Sequence, residues 1–174
     1  MRQDLAARRA SACAALGAGA PAAMLARALS GRGGVLSFYW PMGDEADPRG
    51  ALSGWSDPLC LPVVAGRAQP LRFRRWRAGD DLAQGAFGTS HPLPDAPELV
   101  PQVLIVPLLG ADTGGNRLGY GGGFYDRTLA DLRANGPVTA IGFCFDAQIV
   151  AQIPTEATDQ RLDIIVTERR IITP

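Results

Sequence analysis

A glycine-rich segment between two arginines is the strongest chemical signal in this sequence. Residues 116–127 run Asn-Arg-Leu-Gly-Tyr-Gly-Gly-Gly-Phe-Tyr-Asp-Arg. Closely spaced glycines let backbone N–H groups converge on an anion, and a helix N-terminus behind them adds to the attraction. Arg117 and Arg127 carry planar, permanently charged groups that match phosphate oxygens. Asp126 is the kind of ligand that Mg²⁺ takes together with substrate phosphates. The segment therefore predicts a phosphate-binding loop with a nearby magnesium site.

The chain has no lysine, although 17 of its 174 residues are arginine. A nucleotide-binding P-loop needs the lysine of its GxxxxGK[ST] motif, so that class of site is excluded, as is Schiff-base chemistry on a lysine amine. The glycine spacing also departs from the dinucleotide-binding fingerprint GxGxxG, because residue 124 is phenylalanine. His91 is the only histidine, which excludes a histidine-rich zinc site. Any phosphate must be bound by arginine, backbone N–H groups, a helix N-terminus or a metal ion.

Composition narrows the class of protein further. The formal net charge is zero, so no overall field attracts nucleic acid or an anionic membrane. The three cysteines are isolated, which predicts small buried side chains in a reducing cytoplasm rather than disulfides or a zinc site. The arginine-rich start faintly resembles a transit peptide, but Leu5, Ala12 and Leu16 share one helical face and favour an ordinary first helix. We expect a cytoplasmic monomer without a nucleic-acid or membrane partner.

Hydrophobic patterning predicts helices and strands that alternate along one domain, residues 1–174. Helices are predicted over residues 3–16, 20–29, 47–53 and 124–135. Strands are predicted over residues 35–40, 59–64, 71–77, 103–106, 138–145 and 163–167. Residues 79–101 and 110–123 are predicted loops, and long ordered loops are often functional. The alternation and the unbroken apolar runs predict an α/β fold, a single three-layer domain whose mainly parallel central sheet is flanked by helices.

The glycine-rich segment resembles the signature of the 5-formyltetrahydrofolate cyclo-ligases, also called methenyltetrahydrofolate synthetases. In that family a strand is followed by Val-Pro, a stretch ending in Phe-Asp, and then GxRLGxGxGYYD. In this chain the corresponding residues are Val106-Pro107, Asp112 with Ala111 in place of the phenylalanine, and residues 115–126. Weaker matches are residues 38–45, 61–62, Phe73 with Trp76, 87–88 and 153–163. The resemblance covers most of the chain and implies the fold group that cyclo-ligases share with sugar-phosphate isomerases and CoA transferases.

The resemblance implies a ligase that uses ATP and Mg²⁺ on a reduced folate, with or without a polyglutamate tail. The formyl oxygen on N5 of 5-formyltetrahydrofolate would attack the γ-phosphate, and N10 would then close the ring as phosphate leaves. The products would be 5,10-methenyltetrahydrofolate, ADP and phosphate. Such chemistry needs mainly positioning and charge neutralisation, which glycines, arginines and carboxylates can supply.

The resemblance also implies roles for individual residues. The catalytic residues would be Arg117, Tyr125 and Asp126, and the magnesium carboxylates Asp126 and Asp159. ATP would be bound by Arg2, Arg117, Leu118, Gly119, Tyr120, Gly121, Gly122, Gly123, Phe124, Tyr125 and Arg127. The folate would contact Trp40, Glu45, Tyr120, Gly121, Gly122, Gly123 and Phe124. An indole to stack on the pteridine and a carboxylate to accept its N–H groups fit this substrate, although a core tryptophan and a solvated acid would give the same sequence.

The family's lysines are missing from this chain. Many members carry one where this chain has Gly122, and another would fall before Met1, so that either the true start lies upstream or this chain has lost one phosphate contact. Thr158 replaces the histidine or asparagine that often precedes the second metal carboxylate. We therefore predict an all-arginine phosphate site with weakened ATP binding, in which Arg2 replaces part of the missing charge.

Two other functions fit parts of the sequence. An ATP-independent sugar-phosphate or CoA-ester enzyme would share the architecture, but it would need a positioned carboxylate or lysine base. An RNA-binding module would use the stripe of residues 67–77, where five arginines surround Phe73 and Trp76. A half-buried strand with a solvated basic face explains the stripe more simply, and some of its arginines would also suit the glutamate tail of a folate. His91 has no serine or cysteine partner in the sequence and is interpreted as a loop histidine.

Overall fold

The computed structural model describes residues 1–174 and is built around a seven-stranded sheet. The α-helices are α1 (Arg2–Leu16), α2 (Ala22–Leu29) and α3 (Phe124–Asn135). The strands are β1 (Leu36–Ser37), β2 (Leu59–Val63), β3 (Arg72–Trp76), β4 (Leu82–Gln84), β5 (Ser90–Pro92), β6 (Val103–Pro107), β7 (Gly110–Asp112), β8 (Arg117–Leu118), β9 (Thr139–Phe143), β10 (Ile149–Val150), β11 (Ile164–Val166) and β12 (Ile171–Ile172). Short 3₁₀ helices cover Arg49–Gly54, Ala86–Gly88 and Asp146–Gln148. None of the helices combines the length and apolar character needed to cross a membrane.

The strand order of the central sheet is β12-β11-β9-β6-β1-β2-β3. Neighbours from β11 to β2 run parallel, whereas the two edge strands, β12 and β3, run antiparallel to their neighbours. Strand β6 lies in the middle, and its residues from Val103 to Val106 are buried. The α/β fold with a mainly parallel central sheet, predicted from the sequence, is confirmed.

Helices cover both faces of the sheet and create two hydrophobic cores. Leu25 and Leu29 of α2 pack on one face with Ile105, while Leu129 of α3 packs on the other face with Leu104. Successive side chains of a strand point to opposite faces, so the unbroken apolar run of β6 supplies both cores. This is the three-layer arrangement that the sequence predicts.

Helix α3 begins and ends where the sequence predicts, at residues 124 and 135. Asp126 in its first turn and Arg133 in its last turn both favour the helix, because each charge opposes the nearer end of the helix dipole. Gly136 follows the last residue. These local signals are strong enough to predict the bounds of the helix from the sequence of this segment alone.

The two segments predicted as loops contain short strands. Residues 79–101 include the antiparallel hairpin β4–β5, and His91 lies on it with its Nδ1 atom 2.9 Å from the carbonyl oxygen of Pro92. Residues 110–123 include the hairpin β7–β8, which is extended into a three-stranded sheet by the unpredicted strand β10. Strand β12 was also not predicted. Each of these strands has two or three residues, too few for an alternating pattern to be visible in the sequence.

The arginine stripe is an edge strand of the central sheet. Phe73 of β3 is buried, and the Trp76 ring packs edge-on against Phe38 with the ring centroids 5.2 Å apart. Arg72 is exposed and pairs with Glu98 at 3.3 Å. The structure agrees with the simpler interpretation of the stripe as a half-buried strand, in which Arg72 is exposed and Arg74 and Arg75 are half-buried.

The turn between β7 and β8 is built on a single carboxylate. Asp112 accepts hydrogen bonds from backbone N–H groups of Gly114, Asn116 and Ile153, and from the Asn116 side chain, at 2.9 to 3.1 Å. Burial alone would raise the pKa of Asp112, but these hydrogen bonds outweigh it and hold the pKa below the ordinary value. The motif aspartate is therefore a structural anchor that fixes the start of the glycine-rich segment.

We predict that Gly115→Ala lowers the free energy of unfolding by about 2–4 kcal/mol, measured by urea denaturation. Gly115 has φ 85°, a left-handed value, and an added Cβ atom would lie 2.7 Å from the backbone oxygen of Leu162. Gly114→Ala is the control, because its φ is ordinary and its nearest contact would be 3.3 Å, from Asp112. Equal losses in the two variants would contradict the prediction.

Candidate functional site

A glycine-rich loop, residues 119–123, connects β8 to the start of α3. It belongs to the connection that leaves the carboxyl end of β6, where parallel α/β sheets bind ligands. Gly123 adopts the left-handed values φ 61° and ψ 16°, which turn the backbone into the helix. No side chain caps α3, so the N–H groups of its first turn remain open to an anion.

Arg117 and Asp126 form the most buried ion pair at this loop. The Nη2 atom of Arg117 lies 2.6 Å from Oδ1 of Asp126, and the Arg117 side chain is only 7% exposed. Arg117 also donates through Nη1 to the carbonyl oxygen of Gln160, while the Gln160 N–H donates to Oδ1 of Asp126 at 3.1 Å. Burial lowers the pKa of Arg117 from its ordinary value, although Asp126 and Asp159 act in the opposite direction. The guanidinium remains charged, because arginine is not deprotonated in proteins.

The second predicted magnesium carboxylate, Asp159, lies next to this pair. It precedes Gln160 in the chain, and its Oδ2 atom accepts a hydrogen bond from the Glu156 N–H at 2.8 Å. Both hydrogen bonds to Asp126 use Oδ1, which leaves Oδ2 to coordinate a ligand. No three histidine, cysteine, aspartate or glutamate side chains are arranged to hold a metal ion. Two carboxylates nevertheless fit Mg²⁺, which commonly takes one or two together with substrate phosphates.

Phe124 and Arg127 fill the space beside the glycines. A Cβ atom on Gly122 would lie 2.7 Å from Cε2 of Phe124, so a side chain at position 122 would require the ring to shift. The Arg127 guanidinium lies 5.4 Å from the centre of the Phe124 ring and donates to the Gly122 carbonyl oxygen at 2.6 Å. Its Nε atom is buried without a hydrogen-bond partner. An arginine thus brings positive charge to the loop at the position that lacks a lysine.

Arg2 reaches the other side of the glycine-rich loop from α1. Its Nε atom donates to the Gly119 carbonyl oxygen at 3.1 Å, and its guanidinium lies 3.6 Å from the Cβ position of Gly121. Arg2 lines an open cavity of about 640 Å³ together with Leu118 and residues 154–156. The structure therefore places Arg2 beside the predicted phosphate-binding loop.

Glu45 and Tyr120 are joined by Arg9, a residue for which no role was predicted from the sequence. Glu45 is 4% exposed and accepts a hydrogen bond from the Met42 N–H at 3.0 Å. The buried Arg9 donates to the Tyr120 hydroxyl at 2.7 Å and lies 3.7 Å from Oε1 of Glu45. Burial raises the pKa of Glu45, and Asp44 adds to this effect, whereas Arg9 and the Met42 N–H oppose it.

Trp40 lies after β1 with its ring covered by neighbours. The Arg49 guanidinium is 4.5 Å from its centroid, and Trp76 packs edge-on at 5.9 Å. Arg49 is itself held by Asp47 at 2.6 Å. Trp40 is therefore half-buried and already stacked, so a flat ligand would have to use its other face or displace Arg49.

The comparisons with known proteins identify the family. The model of the 5-formyltetrahydrofolate cyclo-ligase family matches residues 1–168. The chain belongs to this family. It is 33% identical over 118 residues to the 5-formyltetrahydrofolate cyclo-ligase of Escherichia coli K12, covering 66% of this chain and 63% of that relative. It is also 33% identical over 153 residues to the cyclo-ligase of Mycolicibacterium smegmatis, covering 82% and 76%.

Two solved structures share the cyclo-ligase fold of this chain. The 5,10-methenyltetrahydrofolate synthetase of Aquifex aeolicus superposes with a TM-score of 0.75 at 22% identity, covering 99% of this chain and 90% of that chain. The synthetase of Mycoplasma pneumoniae gives a TM-score of 0.71 at 19% identity, covering 96% and 95%. At these identities the likeness establishes the fold.

The cyclo-ligase residues predicted from the sequence form two clusters. One contains Arg2, the glycines, Phe124 and Arg127 with the Arg117–Asp126 pair and Asp159 close by. The other contains Glu45 and Tyr120, and Tyr120 connects the two. Trp40 packs apart from both, in the aromatic group with Trp76. Tyr125 packs against the core on the α3 side of the sheet, and burial raises the pKa of its hydroxyl well above the ordinary value.

Three residues of this candidate site were not predicted from the sequence. Arg9 was given no role of its own, and Gln160 contributes only backbone atoms to Arg117 and Asp126. Phe87 lies in the hairpin loop between β4 and β5, is 75% exposed, and has its ring 6.0 Å from that of Phe124. It also has a left-handed φ of 60°, which is costly for phenylalanine. The signal that could have found it was the weak Phe87-Gly88 match to the family.

Proposed function

We propose that this protein is a 5-formyltetrahydrofolate cyclo-ligase that uses ATP and Mg²⁺ to form 5,10-methenyltetrahydrofolate, ADP and phosphate. The observation that carries the proposal is the assembly of the Arg117–Asp126 pair, an uncapped helix N-terminus and a glycine-rich loop at one edge of the sheet in a member of this family. Family membership alone does not assign residues to substrates, and the assignments proposed below are supported by the geometry of the site.

The triphosphate of ATP would lie on the glycine-rich loop. The N–H groups of the first turn of α3 have no side-chain cap and would face it. Arg2 bonds to Gly119, Arg127 bonds to Gly122, and Arg117 pairs with Asp126 at the start of the helix, so all three charges would lie near it. Guanidinium groups and helix N-termini both stabilise the charge that spreads over a phosphoryl group during transfer. The chain thereby neutralises the triphosphate without lysine.

Magnesium would be held by Asp126 and Asp159 together with the phosphate oxygens. When bound, it would neutralise charge on the transferred phosphoryl group. Arg117 fixes Asp126 on one side, and the Gln160 N–H fixes it on the other. These contacts fix Asp126 and connect it to Gln160, the residue that follows Asp159.

The folate would bind between the glycine-rich loop and Glu45. Glu45 is a buried acceptor that would suit the N–H groups of a pteridine, and Tyr120 borders it at 3.5 Å. Phe87 and Phe124 offer an exposed aromatic edge on the opposite side of the loop. Transfer of phosphate to the formyl oxygen turns it into a leaving group, and N10 then closes the ring. The protein's part is to keep the formyl oxygen in line with the γ-phosphate.

The direct test mixes purified protein with 5-formyltetrahydrofolate, Mg²⁺ and ATP and follows the near-ultraviolet absorbance of the methenyl product. The proposed function requires a signal that depends on ATP and disappears when EDTA removes Mg²⁺. No ATP-dependent signal at saturating substrate would overturn it.

Arg2→Ala should raise the KM for ATP by about threefold to tenfold, the size expected for one partly exposed charged contact, with little change in kcat. The reason is the position of Arg2 beside Gly119 and Gly121. Arg8→Ala is the matched control, because Arg8 lies on the same helix and pairs only with Asp4. An unchanged KM for ATP in Arg2→Ala would show that Arg2 does not replace the missing lysine charge.

A further inference from the structure

Arg9 connects three separate parts of the chain. It lies in α1 and is only 7% exposed. Its Nη2 atom lies 2.5 Å from Oδ1 of Asp44, and its Nη1 atom donates to the Tyr120 hydroxyl at 2.7 Å. The same Nη1 atom lies 3.7 Å from Oε1 of Glu45. One guanidinium therefore ties the helix to the Glu45 loop and to the glycine-rich loop.

The burial of Arg9 is not explained by packing alone. Removing a guanidinium from water is costly unless its charge is compensated, and its Nε atom is buried without a partner. The preceding residue, Arg8, has a side chain that is 48% exposed and lies 3.1 Å from Asp4 on the helix surface. A buried charge whose burial costs free energy is expected to influence the ionisation of the groups around it.

Glu45 is the group on which this charge acts most. Arg9 from α1 is the one basic residue that forms an ion pair with Glu45. The other groups that face Glu45 are Asp44 from its own loop, Tyr120 from the glycine-rich loop, Tyr39 after β1, and Tyr125 of α3. Asp44 repels a second negative charge, and the tyrosines carry none near neutral pH. Without Arg9, burial and Asp44 would both favour the protonated acid.

We propose that Arg9 is a positioning residue that keeps Glu45 ionised and oriented toward the folate, so that folate binding does not depend on pH in the neutral range. This inference rests on the proposed function, because it uses Glu45 as the acceptor for the pteridine. A protonated Glu45 would lose half of its capacity to accept N–H groups. Arg9 acts on the substrate through Glu45 and does not need to touch it.

The first test is the pH dependence of the KM for 5-formyltetrahydrofolate. In Arg9→Gln, which keeps hydrogen-bonding capacity but removes the charge, Glu45 takes up a proton as the pH falls. The KM should therefore rise by about tenfold between about pH 8 and about pH 6, with a smaller change in kcat. The wild type and Arg8→Gln, the control on the same helix, should show flat profiles. Arg9→Lys restores a charge and should flatten the profile again. A flat profile in Arg9→Gln would overturn the proposal.

The second test does not depend on activity. The titration of Glu45 is followed by carboxyl ¹³C NMR in the folate-free protein, with Glu45→Gln identifying the signal. Glu45 should titrate at higher pH in Arg9→Gln than in the wild type, and the same titration in both would overturn the proposal. A shifted titration with a flat KM profile would support the electrostatic role of Arg9 and overturn the assignment of Glu45 to folate instead. The two failures are thus distinguishable.

Discussion

Arg117→Gln is expected to lower kcat/KM for MgATP by about 10²–10³-fold, the range for loss of one preorganised charged donor at a reacting group. The wild-type guanidinium is almost completely buried and bonds both to Asp126 and to the Gln160 carbonyl oxygen. Glutamine lacks the charge and cannot make both contacts. The triphosphate loses a neutralising group, and the segment that carries Asp159 loses an anchor.

The loss of charge at the triphosphate and the loss of the anchor for residues 160–163 can be separated with a second arginine that also contacts this segment. Arg133 of α3 donates to the Arg161 carbonyl oxygen at 2.8 Å and to Asp163 at 2.9 Å, but it does not contact Asp126. Arg133→Gln should loosen residues 160–163 without removing charge from the loop, and a loss of less than about tenfold is expected for such an indirect effect. Equal losses in the two variants would mean that Arg117 only anchors the segment.

Folding must be checked in the Arg117 variant, because removing one partner of a buried ion pair can cost about 3–5 kcal/mol. Thermal unfolding of Arg117→Gln and Arg117→Lys gives this control. Lysine keeps the charge but loses the planar fork, so it should recover stability more than activity. Activity that follows stability across the two variants would contradict a direct role at the phosphate.

The parts of the fold that were predictable are those with strong local signals. Helix α3 lies between a left-handed glycine and Gly136, and β6 is an unbroken apolar run, so both were visible in one short window of sequence. Strand β1 was not: residues 35–40 are apolar except for Ser37, but only Leu36–Ser37 pair with neighbours on both sides. The Tyr39 hydroxyl beyond the strand donates to the Ala46 carbonyl oxygen at 2.5 Å, and only the tertiary structure determines where a buried run leaves the sheet.

The candidate site likewise has one part that could be predicted from the sequence and another that could not. Arg117, Asp126 and the glycines are adjacent in sequence, so their proximity in space could be predicted. Arg9 and Tyr120 are 111 positions apart, and their hydrogen bond depends on how α1 packs on the sheet. No periodic pattern in the sequence indicates that two residues so far apart along the chain are in contact. Trp40 was predicted as a folate contact from its place at a strand end, and the sequence did not show that it packs against Arg49 and Trp76.

The structure shows which side chains lie beside position 122, where this chain has glycine. The Phe124 ring lies 2.7 Å from the place where a Cβ atom on residue 122 would begin, and the Arg127 guanidinium lies 5.4 Å from the centre of that ring. The space beside position 122 is therefore filled by two side chains. A side chain introduced at position 122 would require the Phe124 ring to move.

Gly123→Ala should reduce kcat/KM for MgATP by about 10²-fold while the fold is retained. A non-glycine residue in the left-handed region costs about 1–2 kcal/mol. The new Cβ atom would also lie 2.8 Å from Nη1 of Arg127. That atom is the end of a flexible side chain, so the guanidinium can move away. Moving it, however, breaks the hydrogen bond to the Gly122 carbonyl oxygen and removes the charge from the triphosphate.

Gly119→Ala is the matched control within the same loop. An added Cβ atom there meets nothing within 4 Å, and its φ is not in the left-handed region. Its kcat/KM should change by less than about threefold, as for most surface substitutions. If both variants lose ATP binding equally, flexibility of the loop is what matters, and neither Arg127 nor the backbone N–H groups are held in place for phosphate. If only Gly123→Ala does, the triphosphate is bound by a fixed backbone and an arginine positioned on Phe124, which is the arrangement that lets a chain without lysine bind ATP.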